Sequence, residues 1–121
     1  MSSSNDEIEL RRAVLLAFQA ALIAEVTPNL RAVTVAWDER EIRALFIYDG
    51  EVGDEDRERA AVVGTEAIAH FPAHMISEEV IRLDAPQRLD PLYLMAWVYM
   101  RCEMENWSFP VTYHVERRRC D

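Results

Sequence analysis

The apolar residues near the start of the chain fall on one helical stripe. Ile8, Leu15, Phe18, Leu22 and Val26 recur at spacings of three, four or seven, and Val14, Ala21 and Ile23 widen that stripe. A stripe of this breadth suits a helix lying on a sheet. Ser4 and Glu7 form an S-x-x-E capping box, and Asp6 adds favourable negative charge beside it. Thr27-Pro28-Asn29 closes the segment, because proline cannot continue the hydrogen-bond ladder. The pattern predicts a helix over about 4–26.

The period then shortens to two. Val33, Val35 and Trp37 alternate with Ala32, Thr34 and Ala36, and Ile42 to Tyr48 forms a second β-rich run. With Asp38-Glu39-Arg40-Glu41 between them, they read as an antiparallel hairpin with a charged tip. Asp49-Gly50 breaks the second strand, and Gly53-Asp54 opens a second helix, over about 54–71, with an acidic first turn. Ala60, Ala61, Gly64, Ala67, Ile68 and Phe71 share one side of it; the small ones permit close approach to a sheet, and Pro72 ends it. Met75 to Leu83 reads as a third strand and Leu92 to Cys102 as a fourth. In the fourth, Tyr93, Met95, Trp97 and Tyr99 oppose Leu94, Ala96, Val98 and Met100, so both faces are apolar and a central or otherwise covered strand is expected.

The resulting order, αββαββ, predicts an α+β fold: two helices packed on an antiparallel-rich four-stranded sheet. Phe18, Leu22, Ile68, Phe71, Val35, Phe46, Val98 and Met100 are the expected core. One domain over 1–105 and a C-terminal extension over 106–121 follow; the extension carries Trp107, Phe109, Pro110, Tyr113 and Arg117-Arg118-Arg119.

Charge changes the picture more than length does. The 121 residues suffice for one domain with its own core. The formal net charge is −9, of which residues 31–83 carry −6, and every base is arginine. Such a field repels nucleic acid and anionic membrane surfaces and draws cationic partners inward. The N-terminal MSSSNDEIEL lacks the basic and apolar regions of a signal peptide, and no apolar run approaches the ~20 residues of a membrane span. Cys102 and Cys120 are too few for a disulfide framework. A cytoplasmic location is expected.

The densest feature is DGEVGDEDRE, where Asp49, Glu51, Asp54, Glu55, Asp56 and Glu58 face one base, Arg57. Its spacing lacks the D-x-[DN]-x-[DN]-G pattern of a calcium loop, so it reads as a solvated helix start or a surface for a basic protein. His70 and His74 stand four apart, but Pro72 breaks the helix that would align them on a metal. Cys102 with His114 has nucleophile and base chemistry without a local signature, and three glycines cannot build a phosphate loop. Tyr93, Trp97 and Tyr99 resemble a base-stacking face, yet the surrounding field is negative and core packing explains them. A non-enzyme without metal or cofactor is expected.

The runs NLRAVTVAWDEREIRALFIYDGE, EDRE with AIAHFPAHMISEEVIRLDAP, and LMAWVYMRCE together resemble small acidic bacterial immunity-type proteins of polymorphic or contact-dependent inhibition toxin systems. The likeness spans roughly 28–105 and leaves the tail after Glu105 unmatched. It implies a cytoplasmic protein that binds and blocks a cognate toxin domain. A basic toxin would meet Asp49, Glu51, Asp54, Glu55, Asp56 and Glu58, with Glu78 and Glu79 as a second group and Trp37 or Tyr48 as an aromatic anchor. The alternative is a structural or regulatory domain that forms a homodimer through an uncovered sheet face. A small enzyme with an unfamiliar site is the third reading.

Overall fold

Why the chain folds as two layers is visible in a computed structural model, which describes residues 3–103. Helix α1 (Ser3–Leu22) is followed by strands β1 (Leu30–Trp37) and β2 (Glu41–Tyr48), helix α2 (Asp54–Ile68) and strand β3 (Met75–Arg82). A short 3-10 turn (Asp90–Leu92) precedes strand β4 (Ala96–Met100). The fold is α+β in the expected order αββαββ, with a mixed sheet in the order β3-β2-β1-β4. β1 pairs antiparallel with β2 and with β4, whereas β2 and β3 run parallel because α2 carries the chain back across the sheet. Ser4, the capping-box residue, has a side chain outside the described set, as do the extension 106–121 and its aromatic and arginine residues.

Both helices cover one sheet face. Phe18, Val33, Val35, Ile42 and Phe46 are fully or almost fully buried there, and Leu22 and Phe71 join them. Burying a side chain of this size stabilises the fold by about 1.5–3 kcal/mol. Of the other expected core residues, Ile68 and Val98 are partly buried against the same cluster. Met100 packs on the opposite face. α1 ends four residues earlier than its apolar pattern suggested, with Ala24 in the left-handed region at φ 70°. Ile23 and Val26 therefore lie beyond the helix and are exposed, and Ile8, near the helix start, is exposed as well. Gly64 of α2 is buried against the Glu78 side chain of β3, where a Cβ would collide with that carboxylate, so the small residue does allow a close approach to the sheet.

β4 is shorter than the sequence pattern suggested and lies at the end of the described sheet order, not at its centre. Its two apolar faces have a different cause. The register slips between Val33 and Thr34 of β1, whose partners are Tyr99 and Trp97, leaving Val98 as the extra residue of a bulge. Side chains beyond the bulge exchange faces, so Trp97 and Met100 pack together on the side away from the helices. Leu89 is buried there, with Leu92 and Leu94 beside it, between β3 and β4. The face proposed as a bare dimer surface thus carries its own apolar cover.

Candidate functional site

The acidic stretch begins where β2 ends, and the structure divides its carboxylates into two kinds. The first kind is used internally. Arg31 is the extra β1 residue at a register shift between Leu30 and Ala32, and that bulge places its guanidinium at zero exposure. Arg31 Nε donates to both Glu103 oxygens at 3.2 and 2.9 Å, Nη1 donates to the Leu83 carbonyl at 2.7 Å, and Nη2 donates to the Gln87 carbonyl at 2.8 Å. Arg101 bridges outward: it donates to Glu103 at 2.8 Å and to Asp49 at 2.9 Å. Burial opposes ionisation of Glu103, but its bonds to Arg31 and the nearby Arg101 win, so its carboxyl is held below the usual range. Arg101 does the same for Asp49.

This end of the sheet is cross-linked further. Gly50, at φ 83°, takes a left-handed turn that glycine adopts without strain, and its N–H donates to Asp84 Oδ1 at 2.7 Å. Asp56 is also internal. Its Oδ2 accepts from Asn29 Nδ2 at 2.9 Å and from the Gly53 N–H at 3.1 Å. Glycine has no side-chain acceptor, so this is the reverse half of a capping box. Tyr48 is 2% exposed and donates to the Asp56 carbonyl. Burial pushes its hydroxyl up to about 12, and a residue so enclosed is no surface anchor, which corrects that part of the expected site.

Glu51, Asp54, Glu55 and Glu58 are the second kind. All four are exposed around the N-terminus of α2, whose dipole favours negative charge there. Glu55 pairs with Arg59 at 3.0 Å while its own side chain stays 75% exposed. An ion pair this open is worth little and leaves the local field acidic. The remaining expected residues lie elsewhere. Glu78 and Glu79 are neighbours on β3 and so point to opposite faces. Glu78 turns to α2, where desolvation raises its carboxyl, and Glu79 comes 4.0 Å from Arg43. They do not make one group.

Trp37 stands at the hairpin tip, at the opposite end of the strands from Tyr48 and roughly 23 Å away by strand rise. There it is partly buried beneath Arg11, whose guanidinium carbon lies 5.7 Å from the ring centre. Together with Glu7, Leu10, Asp38, Glu39, Arg40 and Met95 it lines an open cleft of about 490 Å³. The Arg40 and Glu41 N–H groups bond Asp38 and hold its carboxyl low. The hairpin pattern had set Trp37 beside the charged tip but could not show the cleft it forms there with α1.

Catalytic readings gain nothing from the geometry. Cys102 is disulfide-bonded and His114 lies outside the described residues. His74 Nε2 is 3.0 Å from the Asp38 carbonyl and its ring meets Phe71 edge-on, while His70 is exposed. Among the described residues, no group of three or more His, Cys, Asp or Glu is arranged to hold a metal. No described helix is long and apolar enough to cross a membrane. What the described surface offers is an outward acidic patch beside a rigid, internally bonded strand end. No curated protein matches the chain. The family model described as MafI2 immunity protein matches residues 11–103, which include the C-terminal part of α1, all of α2, all four strands and the buried arginine network, and the chain belongs to that family.

Proposed function

We propose that this protein is a non-catalytic cytoplasmic immunity protein that binds and neutralises a cognate bacterial toxin domain, and that the toxin's docking face is basic. Membership of an immunity family supports the first part. The observation that carries the second is the set of outward carboxylates, Glu51, Asp54, Glu55 and Glu58, gathered at one helix start in a chain of net charge −9. Complementary charge raises the association rate and disfavours wrong partners. Neutralisation then requires only that the bound protein cover the toxin's active site or substrate groove. The same field disfavours nucleic acid and anionic membrane as direct ligands, and the reading invokes no metal or cofactor. The Trp37 cleft is a second contact candidate on a different surface.

The direct test looks for a toxin-like protein encoded beside this gene, then measures its binding to this protein and the protection of cells against it. Wild-type protein is expected to bind and protect. Failure on both counts rejects the immunity function itself, whereas binding that is indifferent to the outward acids rejects only their role.

A further inference from the structure

A second apolar stripe runs along α1, on the side turned away from the sheet. Ala13, Leu16, Ala20 and Ile23 follow one another at spacings of three and four, the a/d rhythm of a helix-packing seam. Leu16 is 65% exposed and Ile23, in the turn after the helix, is 76% exposed. Between α1 and the end of α2 lies a shallow groove of about 300 Å³ lined by Ala13, Leu16, Ala17, Ala20, His70 and Phe71. Four of these, at i, i+3, i+4 and i+7, are the four residues that frame a hole for a knob from a facing helix.

We propose that this seam is the interface between two copies of the chain, packed antiparallel through α1. Charge selects the occupant. Residues 10–24 contain Arg11 and Arg12 and no acid, and no carboxylate lines the groove. In a chain of net charge −9 this is a stretch where two acidic copies repel little, and where a basic toxin has nothing to attract it. The stripe is also self-complementary. An antiparallel two-fold that sets Leu16 opposite Ala20 of the second copy sets Ala13 opposite Ile23, so each large side chain meets a small one. The same register keeps the acidic first turns apart; a parallel pairing would place Asp6, Glu7 and Glu9 of both copies side by side.

The choice of occupant rests in part on the basic-toxin reading, and sedimentation velocity of the full chain over a micromolar concentration series tests self-association without any toxin present. Wild-type protein is expected to shift towards the dimer mass as concentration rises. Leu16→Glu and Ile23→Glu, both at exposed positions that leave the fold intact by circular dichroism, should each weaken self-association by roughly tenfold or more. Leu16→Met should retain it. A wild-type protein that stays monomeric throughout, or a folded Leu16→Glu variant that associates as well as wild type, overturns the proposal. Loss of binding to the neighbouring toxin by Leu16→Glu, with wild type monomeric, would give the groove to the toxin instead and overturn it too.

Discussion

Two sets of carboxylates stand within one short stretch of chain and behave as different materials. Asp49 and Asp56 belong to the frame: one is bonded to Arg101, the other to Asn29 and the Gly53 N–H. Glu51, Asp54, Glu55 and Glu58 belong to the surface. Residue type does not separate the sets, and neither does position in the sequence. The difference is whether a donor from a distant segment arrives. Arg101 comes from 52 residues away and Asn29 from 27. An acid that meets such a donor stiffens the strand end, and one that does not remains available to a partner.

The sharpest way to break this comparison is to remove the arginine at the centre of the frame. Arg31→Met leaves Glu103 enclosed with one cationic neighbour and deprives the Leu83 and Gln87 carbonyls of their donor. Urea unfolding should show a loss of about 3–5 kcal/mol. Asp49 and Glu103 have depressed folded-state carboxyls. Their contribution is therefore present above the ordinary carboxylate range and is lost as pH falls through about 4 and below. Wild type should lose stability across that window, and Arg31→Met should lose less, having less to give up. Equal acid slopes would show that the network is not what titrates.

Next in size is the surface set. Asp54→Asn, Glu55→Gln and Glu58→Gln together should slow association with a basic toxin by about tenfold at low salt, with the deficit shrinking as salt screens the field. Dissociation should barely change for rim contacts, and unfolding should shift by no more than about 1 kcal/mol for each lost helix-start charge. Unchanged rates in the folded variant would leave these acids as solubilising charge. Asp56 sharpens the contrast from within the same helix turn. Asp56→Ala should cost about 1 kcal/mol of stability, as removal of a capping group does, while leaving the association rate nearly intact.

Glu78 is the intermediate case and the smallest effect. Its carboxylate lies against α2 beside Gly64, and desolvation raises it. A raised carboxyl makes the charged form a burden above its folded-state value, and that burden disappears on protonation. Glu78→Gln should therefore stabilise the protein at neutral pH, by no more than about 0.5 kcal/mol because the group is largely exposed. The gain should vanish as pH falls through the raised value. A gain that persists in acid would point to packing rather than charge.

The periodicities of Val33-Val35-Trp37 and of Phe18-Leu22, the breaks at Pro28, Gly50 and Pro72, and the acidic excess all lay in the local order of residues. They sufficed for the element order and the α+β class because helix and strand periods are set by neighbouring backbone geometry. Three short phrases also carried a family likeness, and the family match agrees with it. Tertiary structure alone decided the rest. A bulge at Arg31 turned a charged residue in a hydrophobic run into the centre of a buried network, and another at Val98 exchanged the faces of β4. Tyr48 went inward, Glu78 parted from Glu79, and Trp37 at the hairpin tip gained a cleft shared with Glu7 and Leu10 of α1. Each of these depends on which strand lies beside which and in what register. A one-residue slip there reverses the outward and inward sides without changing the local sequence pattern at all.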